Sequence, residues 1–134
     1  MRVVLDTNVV VSGLLSEHGA PARVLDLFVS SDIAIVVDGR ILAEYADVLR
    51  RPAFGFNDED VFAFLRLAER AERVVGVPLP FGLPDEDDEP FLEVAVAGGV
   101  DALVTGNVRH FRIRGRLAIP ILTPREFLKR LAAR

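Results

Sequence analysis

The chain has 134 residues, a formal net charge of -4, 51% hydrophobic residues and no cysteine. This length predicts a single domain, and the absence of cysteine excludes disulfides, thiolate metal sites and a cysteine nucleophile. The negative net charge argues against a surface that binds nucleic acid everywhere, although local basic patches remain compatible with it.

The N-terminal apolar segment is broken by Asp6 and Asn8, lacks a cleavage-like Ala-x-Ala and is too short to cross a bilayer. We therefore expect neither a secretion signal nor a membrane partner. The lack of cysteine fits a reducing compartment, so we expect a cytoplasmic protein.

The first half of the chain predicts strands that alternate with helices. Strand signals are short β-branched runs such as IAIVV, which is typical of a parallel strand covered on both faces. Helix signals are apolar positions at helical spacing, with capping residues, glycine or proline at the ends. In chain order, the predicted elements are a strand at 2–5, helices at 9–15 and 21–29, a strand at 33–37, and helices at 40–50 and 58–73.

The second half continues this alternation after a proline-rich linker. Its predicted elements are an edge strand at 74–77, an acidic run and helix within 85–99, strands at 101–105 and 118–123, and a helix at 124–134 that begins with proline. The alternation predicts one domain over residues 1–134, an α/β/α sandwich with a parallel sheet. Ligands of such sheets bind at the carboxyl ends of the strands.

Several acidic and amide side chains are predicted at that edge. Asp6 follows the first strand, Asp88 precedes a helix, and Asn107 follows a late strand. Glu44 falls on the border of the apolar stripe of helix 40–50, where it is expected to be half-buried. Taken singly, these residues also fit turns, helix caps or a solvated helix face. Taken together, converging carboxylates repel each other unless a cation lies between them, and magnesium or manganese prefers such oxygen ligands.

The most specific signal is the order and spacing of four sequence blocks: VVLDTNVVVSGLL, ILAEYADVL, DEDDEPFLEVAVAGGVDALVTGNVRHF and IPILTPREFL. They resemble the PIN-domain ribonucleases, in particular the VapC-like toxins of toxin–antitoxin pairs, over nearly the whole chain. The resemblance implies a PIN-like fold that hydrolyses RNA phosphodiester bonds with Mg²⁺ or Mn²⁺. It also implies a cognate antitoxin as partner.

The resemblance also implies roles for individual residues. The catalytic and metal-binding acids are Asp6, Glu44 and Asp88, with Asp87 as the neighbouring choice. Asn107 stands where many family members carry a further aspartate, so it keeps an oxygen ligand but loses a charge. Contacts to RNA are assigned to Asn8, Thr105, Arg109 and Arg112. The change at Asn107 keeps one alternative open, a catalytically weakened PIN-fold module that binds RNA or protein.

Two other phosphate-handling α/β folds place an aspartate after the first strand. A haloacid-type phosphatase requires Asp-x-Asp, whereas this chain has Asp6, Thr7 and Asn8. A receiver domain requires a lysine after a late strand, but the only lysine, Lys129, falls inside the final predicted helix. Both are therefore disfavoured.

Two surface features bear on partners. The basic segment is either a solubilising loop or a phosphate contact, and it comprises Arg109, His110, Arg112, Arg114 and Arg116. The predicted helix 58–73 carries an apolar arc too wide for one buried stripe, which indicates either a thick core contact or a surface for a second subunit or an antitoxin. The arc comprises Val61, Phe62, Phe64, Leu65, Leu67 and Ala68, with Phe54 and Phe56 before it. We expect a homodimer that an antitoxin segment can cover.

Overall fold

A computed structural model describes residues 1–79, 82–111 and 118–134. Its centre is a parallel five-stranded sheet with the strand order β3-β2-β1-β4-β5. The strands are β1 (Arg2–Leu5), β2 (Ala34–Val37), β3 (Glu72–Arg73), β4 (Ala102–Val104) and β5 (Ile121–Leu122). Helices flank this sheet, which confirms the predicted α/β fold.

The helices are α1 (Thr7–Leu15), α2 (Ala20–Val29), α3 (Gly39–Leu49), α4 (Asp58–Glu69), α5 (Glu89–Gly98) and α6 (Pro124–Ala132). Short 3₁₀ turns lie at Pro52–Phe54, Glu86–Asp88 and Val108–Phe111. Among the helices of the described residues, none combines the length and hydrophobicity needed to cross a membrane.

The helix ends follow from local chemistry. α1 begins two residues earlier than predicted because the Asp6 carboxylate caps it, accepting a hydrogen bond from the Thr7 N–H at 2.8 Å. The predicted glycine stop of α5 is confirmed at Gly99, whose φ of 55° lies in the left-handed region that glycine adopts without strain. Pro124 occupies the first turn of α6, as predicted.

The prediction of a helix up to residue 73 is wrong, because α4 ends at Glu69. The next residues join the sheet instead, with Glu72 opposite Val36 and Arg73 opposite Val37. Arg2 also donates to Glu72 at 2.9 Å, which holds this short strand at the edge of the sheet. Sheet pairing therefore overrides the helical propensity of this segment.

The edge strand itself was predicted two residues too late, at 74–77. Val74 still donates to the Val37 carbonyl at 3.1 Å, but Val75 and Val77 are 87% and 65% exposed. The chain leaves the sheet here and passes close over Arg40, since a Cβ on Gly76 would lie 2.7 Å from the guanidinium. A glycine permits this approach.

The core surrounds the three central strands, whose inner residues are fully buried. α5 packs against β1, β2 and β4, and α6 packs against β4 and β5. Most of the apolar arc of α4 faces this core, with Val61, Phe64, Leu65 and Ala68 buried, whereas Phe62 is 57% exposed. The interpretation of the arc as a core contact is therefore confirmed for these four buried residues and does not hold for Phe62.

Candidate metal centre

The ends of β1 and β4 are joined by side chains at the carboxyl edge of the sheet. The Asp6 N–H donates to the Val104 carbonyl at 2.9 Å, which extends the pairing by one residue. The Thr105 hydroxyl donates to Asp6 Oδ2 at 2.8 Å, and the Gly106 N–H donates to Asn8 Oδ1 at 3.0 Å. The Asp6-Thr7-Asn8 tripeptide is therefore both a helix cap and a clamp on the loop after β4.

α3 is attached to the same edge by two adjacent residues. The Tyr45 hydroxyl, fully buried, donates to the Leu5 carbonyl at 2.5 Å. The Thr7 hydroxyl donates to the Glu44 carboxylate. These bonds fix the half-buried Glu44 beside the strand end that carries Asp6, so the predicted placement of Glu44 is confirmed.

Asp88 reaches this edge from the 3₁₀ turn before α5. Its side chain makes no capping hydrogen bond to α5, and Asp85 caps the preceding turn instead. Asp88 Oδ2 is buried and has no hydrogen-bond partner among the described residues. His110 Nδ1 lies 3.3 Å from this oxygen, a contact that is an ion pair only when the imidazole is protonated. Asp88 therefore occupies the predicted N-cap position of α5 without making the capping hydrogen bond.

The pKa values of the three acids are all raised. Burial raises the pKa of Asp6 to about 6, because only 5% of the residue is exposed and Asp88 and Glu44 add repulsion, against the hydrogen bond from Thr105. Burial also raises the pKa of Glu44, with Asp87 and Asp88 adding to the effect. The pKa of Asp88 is raised by burial and by Asp85, against the attraction of His110. A site with these shifts lacks positive charge.

A second aspartate, Asp38, shows how a carboxylate at this edge is neutralised by a positive side chain of the protein. Asp38 follows β2 at the same edge of the sheet and caps α3 through the Ile41 N–H at 2.9 Å. Arg40 lies 2.8 Å from Asp38 and also bonds Glu93 at 2.8 Å. Asp6 forms no ion pair within the described residues. Asp6 therefore lacks the cation that Arg40 supplies to Asp38.

The donor set fits a hard divalent ion. It offers buried carboxylate oxygens, one of them without a partner, and their mutual repulsion is relieved by a positive charge. Over residues 1–79, 82–111 and 118–134, no group of three or more acidic or histidine side chains lies in an arrangement that could hold a metal ion as it stands. Mg²⁺ does not require such a group, because it usually keeps several waters and binds through one or two carboxylates together with substrate phosphate.

The other predicted site residues lie around this centre. Asp87 is exposed and close enough to Glu44 to raise its pKa. Asn107 is exposed, and its backbone N–H donates to the Thr105 hydroxyl at 2.9 Å. Arg109 is exposed and lines, with His110, a groove of about 620 Å³ that opens beside the loop. Arg112 lies outside the described residues.

Thr105 is fully buried, so its hydroxyl serves Asp6 and is not exposed for contact with RNA. Three residues that hold the centre were not predicted as site residues: Thr7, Tyr45 and His110, the last of which was counted only in the basic segment. Tyr45 had a usable signal, since it is the only tyrosine and a buried hydroxyl needs a partner. Thr7 and His110 are recognisable only from three-dimensional contacts across 37 residues and between two loops.

Comparison with known proteins agrees with this geometry. The family model described as PIN domain matches residues 2–109. The chain is also similar to the uncharacterized protein MJ1680 of Methanocaldococcus jannaschii, with 24% identity over an alignment of 140 positions that covers 96% of this chain and 90% of that protein. No solved structure gives a significant match. PIN domains are generally metal-dependent nucleases. The chain belongs to the PIN domain family.

Proposed function

We propose that this protein is an endoribonuclease that hydrolyses RNA phosphodiester bonds with Mg²⁺ or Mn²⁺. The observation that carries the proposal is the placement of Asp6, Glu44 and Asp88 at the carboxyl edge, where burial raises the pKa of all three and Asp88 also repels Asp6 and Glu44. This arrangement needs a cation, and family membership supplies the expectation of nuclease chemistry.

Asp6, Glu44 and Asp88 would hold the metal, with Asp87 and the Asn107 amide available at its rim. A divalent ion bound there lowers the pKa of water and stabilises charge on the scissile phosphate. Thr105 and Asn8 act on Asp6, to which they donate at 2.8 Å and 3.3 Å, and so keep one carboxylate oxygen oriented. Thr7 does the same for Glu44. These hydroxyl and amide donors also favour the charged carboxylates that a metal requires.

The RNA backbone is assigned to the positive side chains next to the centre. Arg109 is exposed on the turn that also carries His110, and the basic segment continues to Arg112. A guanidinium can bind a phosphate through two parallel hydrogen bonds, which positions the chain without reading its sequence. Asn8 is proposed to affect RNA binding only indirectly, because its side chain accepts a hydrogen bond from the Gly106 N–H and so holds that loop.

Labelled RNA incubated with Mn²⁺ and either the wild-type protein or Asp6→Asn tests the activity. Asparagine is nearly isosteric and caps a helix as well as aspartate, so the variant removes the charge and keeps an oxygen for the cap, and circular dichroism checks that it folds. We expect cleavage by the wild type and its loss in the variant. Cleavage that survives the substitution, or that never appears, would count against a ribonuclease. RNA binding without cleavage would favour the weakened binding module.

We also propose that the protein is the cytoplasmic toxin of a toxin–antitoxin pair and acts as a homodimer. The dimer proposal is supported by apolar side chains left at the surface, since Leu15, Val29 and Phe62 are each more than half exposed. Sedimentation at micromolar concentration should give twice the chain mass, and a lone monomer would refute the dimer. A neighbouring reading frame for a small DNA-binding protein with a flexible tail would support the antitoxin.

A further inference from the structure

The fold places the imidazole of His110 against the acid centre. His110 lies in the 3₁₀ turn that follows β4, and its N–H donates to the Asn107 carbonyl at 3.0 Å. The next residue, Phe111, is fully buried and fixes this turn to the core. The backbone of His110 is therefore fixed, and 51% of its side chain is exposed.

The contact between His110 and Asp88 is close but is not a hydrogen bond. Nδ1 and Oδ2 are 3.3 Å apart, yet Oδ2 is buried without a hydrogen-bond partner among the described residues. The His110 nitrogen and the Asp88 oxygen can both bind a metal, and the distance between them is close to that between neighbouring ligands around one ion. An octahedral ion with bonds of about 2.1 Å separates adjacent ligands by about 3 Å.

We propose that His110 contributes a nitrogen ligand to the metal held by Asp88, and that this ligand makes the centre prefer Mn²⁺ to Mg²⁺. The inference rests on the proposed metal dependence of the site. Imidazole suits first-row transition ions, whereas Mg²⁺ is a harder ion that takes oxygen ligands and loses its water reluctantly. A neutral imidazole gives this loop a further ligand. It does not restore the negative charge that an aspartate would provide in place of Asn107.

Nitrogen coordination has a direct spectroscopic readout. One equivalent of Mn²⁺ is added to the metal-free full chain, and electron spin echo modulation detects ¹⁴N nuclei bound to the ion. The chain has two histidines, so His18→Gln is the matched control, since His18 lies exposed between α1 and α2. We expect imidazole modulation in the wild type and in His18→Gln, and its loss in His110→Ala. Labelling histidine with ¹⁵N should change the wild-type signal, which tests the ligand even if His110→Ala fails to fold.

Affinity provides a second readout. We expect His110→Ala to weaken Mn²⁺ binding by about tenfold, as loss of a ligand or its support does elsewhere, and to change Mg²⁺ binding by less than about twofold. Bound Mn²⁺ without nitrogen modulation overturns this inference and leaves the proposed ribonuclease intact. Nitrogen modulation without RNA cleavage would support the histidine ligand and overturn the proposed ribonuclease. Equal loss of Mg²⁺ and Mn²⁺ affinity in His110→Ala would refute the metal preference.

Discussion

Asp6→Asn should stabilise the metal-free protein at neutral pH although we expect it to abolish the proposed RNA cleavage. The pKa of Asp6 is raised from 3.8 to about 6 by burial, so the folded state holds this proton more tightly than the unfolded state. A pKa difference of about two between the folded and the unfolded state corresponds to about 3 kcal/mol in the free energy of unfolding. That stability is fully present below about pH 4 and is lost as the pH rises through about 6. Asparagine carries no charge at any of these pH values, so the variant should escape the loss.

The assay is urea unfolding of the chelator-treated protein at pH 5 and pH 7.5. We expect Asp6→Asn to exceed the wild type in unfolding free energy by up to about 3 kcal/mol at pH 7.5 and by less at pH 5. Asp38→Asn is the matched control, since Asp38 also caps a helix after a strand but is paired with Arg40. That variant should lose roughly 1 kcal/mol. Asparagine also replaces an oxygen that accepts from Thr105 and Asn8, which lowers the stability of the variant equally at both pH values. A difference between Asp6→Asn and the wild type that does not shift in favour of the variant from pH 5 to pH 7.5 would therefore refute the electrostatic reasoning.

Three further predictions concern activity and metal binding. Glu44→Gln should lower kcat at least about 100-fold through loss of a metal ligand, with an unchanged circular dichroism spectrum, and substantial residual cleavage would remove Glu44 from the site. Asn107→Asp should tighten Mn²⁺ binding roughly tenfold in calorimetry because ligand charge raises affinity, and no gain would place residue 107 away from the ion. Arg109→Ala should raise KM and reduce the salt dependence of RNA binding by the equivalent of about one phosphate contact, whereas a fall in kcat alone would contradict a positioning role.

The sequence was sufficient for the order of strands and helices because the signals are local. The β-branched run before Asp38 and the apolar spacing around Tyr45 mark a strand and a helix without reference to the rest of the chain. The edge strand was misplaced because Glu72 and Arg73 have no strand propensity of their own. Their conformation comes from pairing with β2 and from the bond to Arg2, which join residues far apart in sequence.

The acid centre was partly predictable for a similar reason. The rule that the carboxyl ends of parallel strands share one edge is sufficient to bring Asp6 and the loop after β4 together. It does not give the direction of a side chain, so Asp88 could equally have capped α5. The contact between Asp88 and His110 depends on how two loops fold over the edge, and neither loop carries a local signal for it.

Crystals of the protein soaked in Mn²⁺ and measured at the manganese absorption edge test the central claim most directly. We expect an anomalous peak among the carboxylates of Asp6, Glu44 and Asp88, and no such peak in crystals of Asp6→Asn. Wild-type crystals without a peak at that position, or with manganese bound only elsewhere, would contradict it.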